Sequence, residues 1–331
     1  MLLRLIALLA LATLLSIQGS SASQPAAPIL DVHLHAGPAA SFGPPPVSIC
    51  APTEAFLPRD PQEPYGFDTF AACDSMLKSP LTDQELMRQT ITVMDRYNII
   101  GVASGPIDAV RAWKTAAPAR IIPALGTDGQ DSIDSIRSWA TDGSIRVLGE
   151  LFFQYAGVAP ADSAAESYFE LAEQLDLPVA LHMGLGPPGT AYVGLPSYRM
   201  RLSDPLLLED TLVRHPRLRL YVMHAGWPML DSMIGLLYAH PQVYVDIGVI
   251  DWFVPRKEFH AYLRRLVDAG FGKRIMFGSD QMIWPEAIRI AIESVESAEF
   301  LSMAQKRDIF YNNASRFLRL SKEEIARHHR N

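Results

Sequence analysis

The chain has 331 residues, 49% of them hydrophobic and 20% charged, with a formal net charge of −7. This is an ordinary globular balance, with core material for one large α/β barrel or two medium domains. An acidic total with no Lys/Arg block in the body removes nucleic acid from the expected partners and leaves a small-molecule substrate as the expectation.

The N-terminus, MLLRLIALLALATLLSIQGSSAS, sets one cation, Arg4, before an apolar run over 5–17 and small residues over 19–23. That is the layout of a secretory signal peptide over 1–23, cut near Ala22 or Ser23, and it predicts a secreted or periplasmic mature chain over 24–331. The run falls short of the roughly 20 residues that a membrane span requires, so no membrane contact is expected after cleavage.

The first strand-like run is ILDVHLH, residues 29–35. His33 and His35 stand two apart, and residues i and i+2 of a strand point the same way. Two imidazoles aimed at one point need a shared partner, and a metal ion is the obvious one. The next stretch, 36–81, is rich in proline (GPPPVS, LPRDPQEPYG) and shows no helix or strand pattern. A long insertion after the first strand of a barrel rises from the face where active sites sit, so it reads as a lid, with a disordered surface insertion as the alternative. Both cysteines of the chain, Cys50 and Cys73, fall inside it. In an oxidising compartment they could form a disulfide that pins the segment.

From Thr82, with Glu85 three residues on, a capping box opens a helix whose apolar stripe includes Leu86, Ile91 and Met94. Apolar strand-like runs then recur: IIGVASG from Ile99, RIIPALG from Arg120, IRVLGELFF from Ile145, LPVALHMG from Leu177, LRLYVMHAG from Leu218, VYVDIG from Val243 and RIMFGSD from Arg274. Helical stretches over 162–174, 204–214, 228–239 and 256–269 separate the later runs. Eight mostly apolar strands alternating with helices predict a single α/β domain, a (β/α)8 TIM barrel. A doubly wound sheet is the alternative. It would carry a glycine-rich phosphate loop after the first strand, and HLHAGP is not one.

Metal-ligand types recur at the C-terminal ends of these runs: His33 and His35, Glu150, His182, His224 and Asp280. Singly, each has an ordinary reading as a hydrogen-bonded core histidine, a salt-bridge partner or a helix cap. Together they would form a ring of N and O donors on one barrel face, suited to a divalent ion, zinc first and manganese or iron next. The other histidines (His215, His240, His260, His328 and His329) lie in predicted helices, at their ends or in the tail, and are given no catalytic role.

The HxH after the first strand, the histidines after the fifth and sixth and the aspartate after the eighth resemble the amidohydrolase superfamily. IFYNNASRFLRL and IMFGSDQMIWP resemble its amidohydrolase-2 (aminocarboxymuconate-semialdehyde decarboxylase-like) branch, and the resemblance runs over roughly residues 29–320. It implies that His33, His35 and Asp280 hold one metal, often with His182. In binuclear members a carboxylate after the fourth strand bridges to a second metal held by His182 and His224. Glu150 stands there and resembles the bridging Glu of TatD-type nucleases; in the mononuclear branch that position need not be a ligand. One or two ions therefore remain open.

The chemistry expected of such a site is attack by a metal-activated water on a small ester, lactone or amide. Asp280 would accept the water's proton and pass it on, and His224, when not a ligand, would donate to the oxyanion. Arg199 and Arg201 follow the fifth strand and could grip a carboxylate or phosphate, or be solvated loop charges. Tyr155, Trp227, Trp252 and Trp284 follow strands too, as a substrate wall or as packing for the lid. Two other readings stand beside hydrolysis: a non-oxidative decarboxylase of an aromatic or enoic acid, and a non-catalytic exported metal-binding barrel. A nuclease is disfavoured by the acidic charge, and the sequence leaves a homodimer open.

Overall fold

The structure, a computed structural model, describes residues 27–66 and 73–330, so the signal-like residues 1–23 lie outside the described span. Among the described residues ten strands are formed: β1 (Ile29–His35), β2 (Ser48–Cys50), β3 (Met76–Lys78), β4 (Ile99–Gly105), β5 (Ile121–Thr127), β6 (Val147–Leu151), β7 (Val179–Leu181), β8 (Leu220–Val222), β9 (Tyr244–Asp246) and β10 (Ile275–Met276). The helices that separate them are α1 (Asp83–Arg96), α2 (Ile107–Ala116), α3 (Ile133–Thr141), α4 (Ser163–Leu175), α5 (Glu209–Arg214), α6 (Leu230–Ala239) and α7 (Arg256–Leu266), with α8 (Ala287–Glu296) after β10. Strands β1 and β4 to β10 are parallel neighbours in chain order, the topology of a (β/α)8 barrel.

The strands are apolar on both faces because both are covered. Leu30, Val32, Ile100, Val102, Ile122, Ala124, Val147 and Tyr221 fill the barrel, closed below by Tyr311 and Phe317. Leu34, Ile99, Ala103 and Leu125 belong to the larger cluster that includes the helices' buried faces. A register shift between Asp31 and Leu34 interrupts the pairing of β1 with β4. Bulges of this kind re-aim side chains, and here the shift precedes the turn of His33 and His35 to the barrel mouth. The seam between β10 and β1 has no regular ladder. It is held by Val32 N donating to Phe277 O (3.0 Å) and Asp280 N donating to His33 O (2.7 Å).

Several local expectations need correction. Strands β7 to β10 are only two or three residues long, so His182 and Asp280 stand beyond them in loops and His224 in the 3-10 turn Met223–Gly226. Proline at the first position of a 3-10 turn, Pro205–Leu208, splits the helix expected over 204–214 and leaves α5 with six residues. Thr82 caps α1 through Glu85 N, but the Glu85 carboxylate takes the amide of Leu81 instead of Thr82's, so the box is half made. The insertion is not free of strands: β2 and β3 pair as an antiparallel hairpin, and Cys50 and Cys73 are joined in a disulfide. The segment lies on the C-terminal rim. Thr53 N donates to Phe253 O (2.8 Å), Trp284 Nε1 to Val47 O (2.9 Å) and Tyr65 OH to Pro188 O (2.9 Å). Among the described residues no helix is long and apolar enough to cross a membrane.

Candidate metal centre

The six metal-ligand types anticipated at the strand ends meet in one buried cluster. His33 Nε2 and His35 Nε2 are 3.2 Å apart, and His182 Nδ1 and His224 Nε2 are 3.1 Å apart. Glu150, near the end of β6, stands between the two pairs. Its Oε2 lies 3.4 Å from His35 Nε2 and 3.9 Å from His33 Nε2, while its Oε1 contacts His182 Nδ1 and lies 3.9 Å from His224 Nε2. Asp280 closes the ring, its Oδ1 2.9 Å from His35 Nε2 and 3.5 Å from His33 Nε2.

The outer nitrogens show which lone pairs face inward. His224 Nδ1 lies 3.0 Å from Gly248 O, and His182 Nε2 3.0 Å from Leu185 O. A carbonyl only accepts, so both outer nitrogens are N–H; His224 is kept neutral by burial, which leaves its inner Nε2 a bare lone pair, while His182 Nδ1 is hydrogen-bonded with Glu150 Oε1. His33 Nδ1 lies 3.2 Å from the buried carboxylate of Asp246. The Asp280 Oδ1 is buried and accepts no hydrogen bond. The His224 lone pair and the carboxylate oxygens of Glu150 and Asp280 converge on one space among four imidazoles, and a cation is a fitting occupant for it. The donor set of four imidazoles and two carboxylates suits a divalent ion of the zinc, manganese or iron type.

Burial opposes ionisation of Glu150, but His182 and then His33 and His35 outweigh it and hold its carboxyl well below the usual range. Asp280 behaves alike, burial being overcome by His33, His35 and His224. Burial, helped by His182, pushes His224 down to about 4, so it is neutral at pH 7.

The backbone around the cluster is contorted. His224 (φ 57°), Ala225 (47°), Val249 (57°), Asp280 (47°) and Met282 (46°) all lie in the left-handed region. For the β-branched Val249 this is a costly conformation. Two glycines make room for His33. A Cβ on Gly248 would lie 2.8 Å from His33 Nδ1, and one on Gly278 would lie 2.8 Å from His33 Cβ.

Other anticipated residues stand elsewhere. Trp284 is wholly buried, stacked on Phe42 at 5.5 Å, and packs the insertion onto the barrel. Trp252 is also wholly buried and donates to Ser279 O. Arg199 and Arg201 are exposed on the loop after β7. Tyr155, in the 3-10 turn Phe153–Ala156, does reach the cluster, its hydroxyl 3.4 Å from His182 Nε2. Three supporting residues carry no expectation from the sequence. Asp246 accepts from His224 N (3.1 Å) and Gly248 N (2.8 Å), Asp31 accepts from His33 N (3.0 Å) and Ser279 N (3.0 Å), and Gln281 grips the main chain of His35. Asp246 had the same signal as the others, an acid ending an apolar run.

A (β/α)8 barrel with imidazoles and carboxylates gathered at the C-terminal rim defines a class of barrel enzymes built around a divalent cation. The chain belongs to the amidohydrolase family, whose profile matches residues 30–320. It is 21% identical over 165 residues to Protein fluG of Emericella nidulans, a match covering 45% of this chain and 18% of that protein. Among solved structures it resembles a probable 2-pyrone-4,6-dicarboxylic acid hydrolase from Acinetobacter baumannii crystallised with citric acid (TM-score 0.58, 14% identity, 88% of this chain and 99% of the other). It also resembles the 5-carboxyvanillate decarboxylase LigW from Sphingomonas paucimobilis (TM-score 0.51, 17% identity, 70% and 82%). At such identities the likeness shows the fold alone.

Proposed function

We propose that this enzyme is a metal-dependent hydrolase that cleaves a small ester, lactone or amide. The observation that carries the reading is the place of Glu150, one oxygen toward the His33–His35 pair and the other toward His182 and His224. A carboxylate so placed suits two cations, one on each imidazole pair, with Asp280 beside His33 and His35. Zinc is the ion we propose, with manganese or iron as the nearest substitutes. A cation there would polarise the substrate carbonyl and bring the pKa of a water toward neutrality.

The chain's own residues do the rest. Asp280, held ionised, is placed to take a proton at its buried Oδ1 and to return it to the leaving group. His224 has its only N–H committed to Gly248 O, so a ligand role suits it better than donation to an oxyanion. Tyr155 is kept protonated by burial and by Glu150, and its hydroxyl is a neutral donor beside the cluster. The N-terminal layout and the Cys50–Cys73 bridge support an exported protein.

The test is metal analysis per chain together with a panel of esters, lactones, amides and carboxylic acids. About two equivalents and hydrolytic turnover support the reading, and Glu150→Gln should then bind one. Release of CO2 from an acid with one equivalent bound would replace hydrolysis by decarboxylation. Bound metal with no turnover on any class would leave a binding barrel.

A further inference from the structure

The N-terminal end of the barrel, opposite the metal cluster, holds a second polar cavity. It measures about 220 Å³, and its lining includes Ile122, Arg146, Asp176, Pro178, Arg219 and Leu318. Arg146, Pro178 and Arg219 each stand just before a strand, β6, β7 and β8, and Ile122 lies at the start of β5. No candidate metal ligand lines it. The C-terminal helix Lys322–His328 is tied to the barrel at this end, Glu324 Oε1 accepting from Arg146 Nη1 at 2.9 Å.

The two lining arginines differ in what they have left to offer. Arg219 is fully engaged: Nε donates to Asp176 Oδ1 (2.7 Å), Nη2 to Asp176 O and Nη1 to Phe317 O (3.0 Å). The other oxygen of Asp176 accepts from Arg319 Nη1, so one carboxylate serves two guanidinium groups. Arg146 uses only Nη1, and its Nε and Nη2 make no hydrogen bond or ion pair with any described residue. Those N–H groups form the parallel fork that matches two oxygens of one anion.

The surroundings are positive, although the whole chain carries a net charge of −7. The carboxylates paired with Arg146, Arg219 and Arg319 are Glu324 and Asp176. Among the described residues no carboxylate pairs with Lys114 or Arg327. Burial, then Arg146 and Arg327, hold the Lys114 ammonium below the usual lysine range, so these cations crowd one another. Like charges gathered in this way repel, and a bound anion relieves the repulsion.

We propose that this cavity binds a phosphate-type dianion, free or carried on a small organic group, on the Nε/Nη2 edge of Arg146. A dianion suits a surplus of more than one positive charge, and the apolar walls of Ile122, Pro178 and Leu318 suit a small organic substituent. Arg146 holds the C-terminal helix on Nη1, so one guanidinium joins anion, helix and barrel. The proposal stands apart from the chemistry at the metal cluster.

Calorimetric titration and thermal unfolding of the protein as purified, with inorganic phosphate, glycerol phosphate and sodium chloride at matched ionic strength, test it. Phosphate should bind saturably with a Kd of about 1 mM or tighter and raise the unfolding midpoint, and chloride should do neither. Arg146→Gln should weaken binding tenfold or more, since a hydrogen bond to a charged group contributes about that much. Arg88→Gln removes an equal charge from an exposed side chain outside the lining and should change nothing. Glu324→Gln keeps a capping side chain for its helix, takes a competing carboxylate from Arg146 and should tighten binding. Tighter binding of glycerol phosphate than of phosphate assigns the site to a phosphate ester, and equal or weaker binding to free phosphate. Phosphate that acts no better than chloride, binding unchanged in Arg146→Gln, or binding abolished by a metal chelator would overturn the proposal.

Discussion

Gln281 brackets the peptide of His35, its Oε1 accepting from His35 N at 3.0 Å and its Nε2 donating to His35 O at 2.8 Å. A longer β10 would have paired these main-chain groups itself; here one side chain does so across the seam. Gln281 also neighbours Asp280, whose carboxylate lies 2.9 Å from His35 Nε2, so it couples the spacing of two candidate ligands. Gln281→Met keeps the length and removes both bonds. Metal affinity, read by chelator competition, should fall by roughly 10–100-fold, the usual effect of losing a supporting partner. Unchanged affinity with an intact circular dichroism spectrum would show that the barrel holds His35 unaided.

Gly248 should tolerate no side chain. A methyl there meets His33 Nδ1 at 2.8 Å and Asp280 Cβ at 2.9 Å, both within the packed ring. Gly248→Ala is expected to lose metal and turnover and to cost about 1–3 kcal/mol of stability. Gly235→Ala, where the new methyl would meet only Leu206 at 3.6 Å, is the matched control and should keep both.

Asp31 makes stability depend on pH. Burial raises its carboxyl from 3.8 to about 7, although its Oδ1 accepts two amides. Between those values the folded chain keeps a proton that the unfolded chain has lost, so stability falls as pH rises through the window. The slope from this group approaches about 1.4 kcal/mol per pH unit. Asp31→Asn still accepts both amides and should remove that component. Urea denaturation of the metal-free protein at pH 5 and pH 7 should show the wild type losing stability relative to the variant; parallel losses would place the titration elsewhere.

His33→Ala and Asp280→Asn should leave the fold in place and remove turnover on any substrate the panel identifies. For Asp280→Asn the expected fall in kcat is roughly 10²–10⁴-fold, what a general acid–base contributes. Near-wild-type turnover in either variant would withdraw the role.

The barrel was legible because eight apolar runs alternate with amphipathic stretches, and the cluster because His and acid residues interrupt those runs at their ends. Asp246 obeys the same rule, but its neighbours in VYVDIG carry no second donor to single it out. Gln281 is an uncharged amide whose task depends on a seam lacking its ladder, which no local pattern announces. The hairpin in the insertion has three-residue strands and is held by partners far along the chain, Phe253 and Trp284, so its register is a tertiary property. Trp284 shows the limit from the other side: an aromatic after the last strand reads as a wall, and only its complete burial under Val47 shows otherwise.

The left-handed turns at His224, Ala225, Val249, Asp280 and Met282 have an evolutionary corollary. Each such residue costs about 1–3 kcal/mol that glycine would largely recover. A library selected for heat tolerance alone should therefore drift toward glycine or asparagine at Val249 and Met282, and its fittest survivors should be poor catalysts. Thermal hardiness and chemistry would be traded at the same few peptide units.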